Sequence, residues 1–164
     1  MRRRRSHEAM SFGSSKHRVD ISRVEIQSSA DKFYHIFRSR AHHIPNICPE
    51  KVSAIDVHEG DWENVGSIKK WNYVLDKNAE SAKETVESID DENKVVTFNI
   101  FEGEIMQCYK SFKSILQVIE KGEGALVKWT IEYEKVNENA PTPDKYLDLA
   151  VGVTKDIDAH LVKA

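Results

Sequence analysis

An α+β fold is predicted: a curved seven-stranded antiparallel sheet wrapped around one long C-terminal helix, a helix grip. Three observations lead to it. Apolar residues recur with a period of two over most of residues 19–134, broken by one short helical stretch. The strand-like runs after that stretch follow one another across short turn-forming clusters, which favours antiparallel neighbours. Beyond Pro143 the period becomes 3.6 and stays so.

The elements follow in order. Residues 19–27 set Val19, Ile21, Val24 and Ile26 in a polar run, a first strand. Ser28 and Ser29 precede an apolar period with Asp31 in its first turn, a helix start, and Phe33, Ile36 and Phe37 share one face. Pro45 and Pro49 stop any long helix and leave a second short one around residues 41–44. In the next strand Ser53, Ile55 and Val57 alternate with Ala54 and Asp56. An acidic loop bounded by Gly60 and Gly66 then leads into a strand with Trp71 and Tyr73 on one face. Asp76, Lys77 and Asn78 make a turn. Residues 79–89 are charged and weakly patterned, so this strand is expected to be exposed. Val96, Phe98 and Ile100 share a face of the next strand. Residues 109–119 put Phe112, Leu116 and Val118 on one face, and by parity Tyr109 on the other. After the Lys-Gly-Glu-Gly turn, Val127, Trp129, Ile131 and Tyr133 alternate cleanly with polar residues. Thr142, Pro143 and Asp144 mark the last helix start, and Tyr146, Leu149, Ala150, Val153, Ile157 and Leu161 form its apolar stripe. A twisted sheet with one apolar face needs a cover, and this helix is the one element large enough.

A chain of 164 residues, 40% hydrophobic and 31% charged, suits one globular domain. The net charge of −3 is uneven. Arg2, Arg3, Arg4, Arg5, Lys16 and Arg18 against Glu8 give residues 1–18 a balance of +5, so the rest carries −8 (−3 − 5). Residues 1–18 are expected to be a disordered basic arm and residues 19–164 a single domain. The arginine run is a weak nuclear-import signal. The acidic domain repels phosphate backbones, so nucleic acid is not an expected partner. No apolar run is long enough to cross a bilayer and no export signal follows the basic start, which points to a cytoplasmic protein with Cys48 and Cys108 as free thiols.

The inward rings are Trp71, Tyr73, Phe98, Phe112, Trp129, Tyr133 and Tyr146, and the helix residues facing them, Ala150, Gly152 and Val153, are small. Large rings opposite a slim helix leave a void that an amphipathic small ligand suits. A filled aromatic core would show the same periodicity, and pattern alone does not separate the two. The expected ligand-binding residues are Trp71, Tyr73, Phe98, Ile100, Phe112, Trp129, Tyr146 and Val153.

The stretches HEGDWENVGSIKKWNY, FEGEIMQCYKSF, VKWTIEYEK and KDIDAHL resemble the plant major latex proteins, of the birch pollen allergen superfamily. The likeness runs from about Val19 to Ala164. It implies a large internal apolar cavity, a monomeric plant cytosolic protein linked to defence or stress, and a hydrophobic ligand such as a hormone, sterol or phenolic metabolite. It also implies that the loop of Gly60 and Gly66 is conformationally fixed near the cavity; Trp62 at its tip reads either as a surface ring packed on a neighbouring strand or as a cover for the cavity entrance.

Other chemistry is weighed residue by residue. A phosphate loop needs a lysine after its second glycine; Ser67 follows Gly66 instead, and Glu59, Asp61 and Glu63 repel phosphate. His42, His43 and His58 lack ligand spacing, so neither a metal nor a cofactor is expected. Some members of the superfamily that the chain resembles are condensing enzymes, and ribonuclease activity has been claimed for others. By strand parity Lys69, Glu84 and Lys110 are the ionisable residues available to face inward for acid–base work, and they read as rim residues with solvated heads. The expected function is therefore non-enzymatic carriage of a hydrophobic small molecule. The alternatives are a pocket enzyme using those residues and an interaction module whose glycine loop responds to ligand.

Overall fold

Period-two patterning produces one antiparallel sheet. The computed structural model describes residues 8–11 and 17–163. Its strands are β1 (Glu8–Ser11), β2 (His17–Ile26), β3 (Val52–Glu59), β4 (Ile68–Leu75), β5 (Asn78–Asp90), β6 (Val95–Gly103), β7 (Tyr109–Lys121) and β8 (Gly124–Lys135). Between β2 and β3 lie α1 (Ala30–Ser39), a 3-10 turn (Ala41–His43) and α2 (Ile44–Ile47); α3 (Asp144–Lys163) follows β8. The sheet order is β1-β2-β8-β7-β6-β5-β4-β3, antiparallel throughout. Strands β3 to β8 form a meander, and β2 joins the far side of β8, with His17 opposite Glu134 and Ile26 opposite Ala125. The seven expected strands, the short helices after the first of them and the long final helix are all present.

Three local differences matter. Within the stretch expected to be disordered, Glu8–Ser11 pairs with residues 18–21 of β2. The open edge of β2 offers unpaired backbone groups that a short segment satisfies whatever its side-chain period. The cluster Arg2, Arg3, Arg4 and Arg5 lies outside the described residues. Strand β5 is not an exposed strand: Ala82, Glu84 and Val86 are buried in its middle. Its alternation was hidden because one inward position is a carboxylate. Tyr109, assigned to the outer face by parity, is buried, with its ring 5.3 Å from that of Phe112. The register of β7 shifts between Tyr109 and Ser111, and the extra residue, Lys110, turns outward to Glu134. A bulge of this kind reverses parity on one side of itself.

The core is the concave sheet face with α1 and α3 laid on it. Ser29 caps α1 by accepting the Lys32 N–H at 3.3 Å, and Phe33, Ile36 and Phe37 are buried. Helix α3 is held by polar contacts as well as by its apolar stripe. Asp158 accepts the Ser28 N–H at 2.8 Å and the Ser28 hydroxyl at 2.6 Å. Lys51 pairs with Asp156 at 2.7 Å. In the interior the Trp129 indole N–H donates to Thr154 Oγ1 at 2.8 Å, and that hydroxyl donates to the Ala150 carbonyl at 2.7 Å. Thr154 therefore sits mid-helix on a buried face without an unmet polar group.

Thr154→Val keeps the shape of this contact and removes its acceptor, leaving a buried indole N–H unpaired. The expected loss of stability is about 1–3 kcal/mol, read as a lowered urea midpoint; an unchanged midpoint would show that the bond does not hold α3.

Candidate functional site

A pocket of about 150 Å³ lies between the concave face and the N-terminal half of α3. Alternation on the strands supplies one wall. Trp71 and Tyr73 project from β4, Ala82 and Glu84 from β5, Phe98 and Ile100 from β6, Phe112 and Ser114 from β7, and Trp129 and Ile131 from β8. Helical spacing on α3 supplies the other, through Tyr146, Leu147, Leu149, Ala150 and Val153. Trp71, Tyr73, Phe98, Ile100, Phe112, Trp129, Tyr146 and Val153 thus line one hollow. Tyr133, also expected inward, is buried but lies off the pocket, with its hydroxyl 3.3 Å from Asp20.

The rings order the wall. Phe37 of α1 meets Trp129 edge-on at 5.3 Å, and Tyr146 packs edge-on against Tyr73, Phe112 and Tyr109 at 6.4, 5.6 and 6.5 Å. The Tyr73 and Tyr146 hydroxyls both donate to Glu80 Oε1, at 3.0 and 2.9 Å. Burial, with that carboxylate beside them, pushes both phenols far above their ordinary range. They stay neutral donors, and both hydroxyls are paired.

The other end is different. Lys69 on β4 and Glu84 on β5 stand directly across from each other, 3% and 8% exposed. The expectation of solvated rim residues does not hold for them: both alternate inward, and the sheet leaves no room for their heads to reach water. Burial lifts the Glu84 carboxyl to about 7, opposed by the Lys69 charge and by the nearby Trp71 N–H. Burial lowers Lys69, and Glu84 draws it back. Trp71 Nε1 lies close enough to the Glu84 carboxyl to favour its charge, yet neither Nε1 nor Glu84 Oε2 reaches full hydrogen-bond geometry with any partner. Glu84 lines the pocket. Its inward position was readable from parity; its burial was not, since that depends on how the sheet closes around it.

The glycine loop lies outside the lining. Gly60 and Gly66 have φ of 79° and 91°, the left-handed region that glycine occupies at no steric cost. A Cβ at Gly60 would sit 2.5 Å from Ser67 Oγ. Asp61 accepts the N–H groups of Glu63 and Asn64, both at 2.9 Å, and Arg38 of α1 donates to the Glu63 carbonyl at 2.6 Å. The Trp62 ring packs on His42 at 4.8 Å and not over the pocket. Among the described residues no group of three candidate ligands is placed to hold a metal, and no helix is long and apolar enough to cross a membrane.

Comparison with known proteins fits this architecture. Residues 17–164 match the model of the Pathogenesis-related protein Bet v 1 family. The chain is 47% identical over 141 residues to MLP-like protein 34 of Arabidopsis thaliana, covering 85% of this chain and 45% of that one, so it spans about half that relative's length. It is 44% identical to MLP-like protein 31 of the same plant, covering 85% of this chain and 82% of the relative. The crystal structure of major latex-like protein 151 from Panax ginseng superposes with a TM-score of 0.85 at 44% identity, over 88% of this chain and 97% of that one. Norcoclaurine synthase from Thalictrum flavum, solved with dopamine and hydroxybenzaldehyde, shares the fold at a TM-score of 0.67 and 20% identity, over 88% of each chain.

Glu84 makes stability depend on pH. The folded chain holds this proton more tightly than an unfolded chain, whose carboxyl titrates near 4.5. The contribution is therefore complete below that value and lost as pH rises to about 7, a change on the order of 3 kcal/mol. Glu84→Gln is expected to gain stability relative to the parent protein between roughly pH 5 and 8. Parallel urea profiles across that range would refute it.

Proposed function

The chain belongs to the Pathogenesis-related protein Bet v 1 family, and from that premise we propose that it binds and carries a hydrophobic small molecule in the pocket under α3. One observation carries the reading: the hollow is walled almost wholly by apolar and aromatic side chains, among which Glu84, Ser114 and the polar tips of the tryptophans and tyrosines are the polar groups. An unfilled hollow of about 150 Å³ costs on the order of 3–4 kcal/mol. A ligand that fills it offsets that cost. An apolar cavity of this volume takes one benzene-sized ring. Compact aromatic ligands therefore suit the hollow as it stands, and bulkier ones require α3 or the rings to shift.

The wider setting is part of the same proposal: a monomeric plant cytoplasmic protein acting in defence or stress, with no catalysis. The plant relatives and the family's description support it. The buried Lys69–Glu84 pair supports a second reading, acid–base chemistry on the same ligand, since a carboxyl that titrates near 7 suits proton transfer. It ranks second because, among the described residues, no other carboxylate, lysine or histidine lines the pocket beside Glu84.

Native mass spectrometry of protein from its own tissue, followed by denaturing extraction, separates the two. A carrier returns one stoichiometric apolar compound, unchanged after incubation with the apoprotein; an enzyme returns a product. Ala150→Phe, which places a ring where the helix now lends a methyl group, is expected to weaken benzene binding at least about tenfold while leaving the fold intact. Tryptophan fluorescence titration reads this, and undiminished affinity would move the ligand site elsewhere.

A further inference from the structure

We propose that this pocket takes a flat heteroaromatic molecule whose edge carries an N–H donor beside an acceptor nitrogen, and that Glu84 and Trp71 are the residues that read that edge. The proposal rests on the reading of the pocket as a ligand site and adds the chemistry that the site selects.

Among the described residues, two buried side-chain polar atoms lack a hydrogen bond of full geometry: Trp71 Nε1 and Glu84 Oε2, which lie near enough for the N–H to favour the carboxylate without satisfying it. Both belong to residues of the pocket wall. A buried polar atom without a partner is uncommon in a native fold and costly to keep. Here one atom is an obligate donor, since an indole nitrogen cannot accept, and the other is a carboxyl oxygen that accepts when ionised. Trp71 stands opposite Ala82 and Glu84 opposite Lys69, so the two side chains are diagonal neighbours on one face of β4 and β5. A donor and an acceptor set side by side at the end of an apolar slot complement an acceptor and a donor side by side on a ring.

The surroundings narrow the class further. Lys69 already supplies a positive charge beside Glu84, so a cationic amine would meet repulsion. An anionic ligand would meet the Glu84 carboxylate. A sugar would leave its hydroxyls against Phe98, Ile100 and Trp129. An uncharged ring with one polar edge satisfies both orphaned atoms and leaves its apolar body to the rest of the wall.

The test is a ladder of four probes of nearly equal size: indazole, with donor and adjacent acceptor; N-methylindazole, without the donor; indole, without the acceptor; and indene, with neither. Calorimetric titration of the full chain is expected to place indazole at least about tenfold tighter than indene, with the other two between. Glu84→Leu should abolish the advantage of the N–H probes, and Trp71→Phe the advantage of indazole over indole, while both variants still bind indene. Indazole, but not indene, should shift the Trp71 indole N–H resonance. Equal affinity for indazole and indene in the parent protein would overturn the proposal, because Trp71 and Glu84 would then be served by each other or by water. Failure of the four bicyclic probes where benzene still binds would overturn this proposal alone; failure of benzene as well would overturn the ligand-site reading itself, and this proposal with it.

Discussion

The structure depends on covering one concave apolar face with one helix. Helix α3 meets the sheet at discrete points. Its C-terminal half is pinned by Asp158 on Ser28, by Thr154 on Trp129 and by the buried Ile157. Its N-terminal half stands over the hollow, contributing Tyr146, Leu147, Ala150 and Val153. At the N-terminal end Tyr146 donates to Glu80 and Lys145 pairs with Asp76, so the helix is held at both ends and spans the curved sheet between them, where the sheet's own rings do not fill the gap. The hollow lies in that span, and Thr154 marks the boundary between the two halves.

Most of this was legible in the sequence, because alternation and helical spacing report which side chains share a face. Val127, Trp129, Ile131 and Tyr133 are buried as their pattern requires, and the start of the last helix falls at Asp144. The failures share a cause. Parity counts residues along one strand and is blind to a bulge: the shift between Tyr109 and Ser111 moved Tyr109 inward and Lys110 outward. Patterning by hydrophobicity is blind to a buried charge, so Glu84 made β5 look exposed. The α3 stripe was read without Leu147 and Thr154, both fully buried. Threonine does not register as apolar, and its burial becomes acceptable only through Trp129, a partner 25 residues away.

The two polar ends of the pocket differ in kind. Glu80 accepts from two tyrosines and thereby fixes Tyr73 and Tyr146 against each other across the sheet–helix gap. That end is a brace. Glu84 has a lysine opposite it but no hydrogen bond on Oε2, and its carboxyl is held near 7. A brace whose two hydroxyls are already paired does not gain much from a ligand. An end with an unpaired donor and an unpaired acceptor does, and selectivity is expected there.

Those two atoms must also be aimed, and the strands around them explain how. Gly66 donates to the Val86 carbonyl at 2.8 Å and Val86 donates back to the Ser67 carbonyl at 3.1 Å, which extends the β4–β5 pairing into the glycine loop. With that pair closed, Lys69 can stand only opposite Glu84, since a one-residue slip would turn one of the two side chains to the outer face and leave the other buried alone. On the opposite side of β5 the register with β6 shifts between Lys83 and Glu84: Lys83 faces Glu102 and Glu84 faces Ile100. Phe101 is the residue left over, and it is pushed out to 43% exposure, whereas Ile100 stays on the pocket wall. A bulge beside a buried carboxylate and a left-handed glycine loop one hairpin away are thus parts of one arrangement. The loop sets the register, the bulge turns the strand, and together they hold a charge inside an apolar wall where hydrophobic burial alone would not keep it.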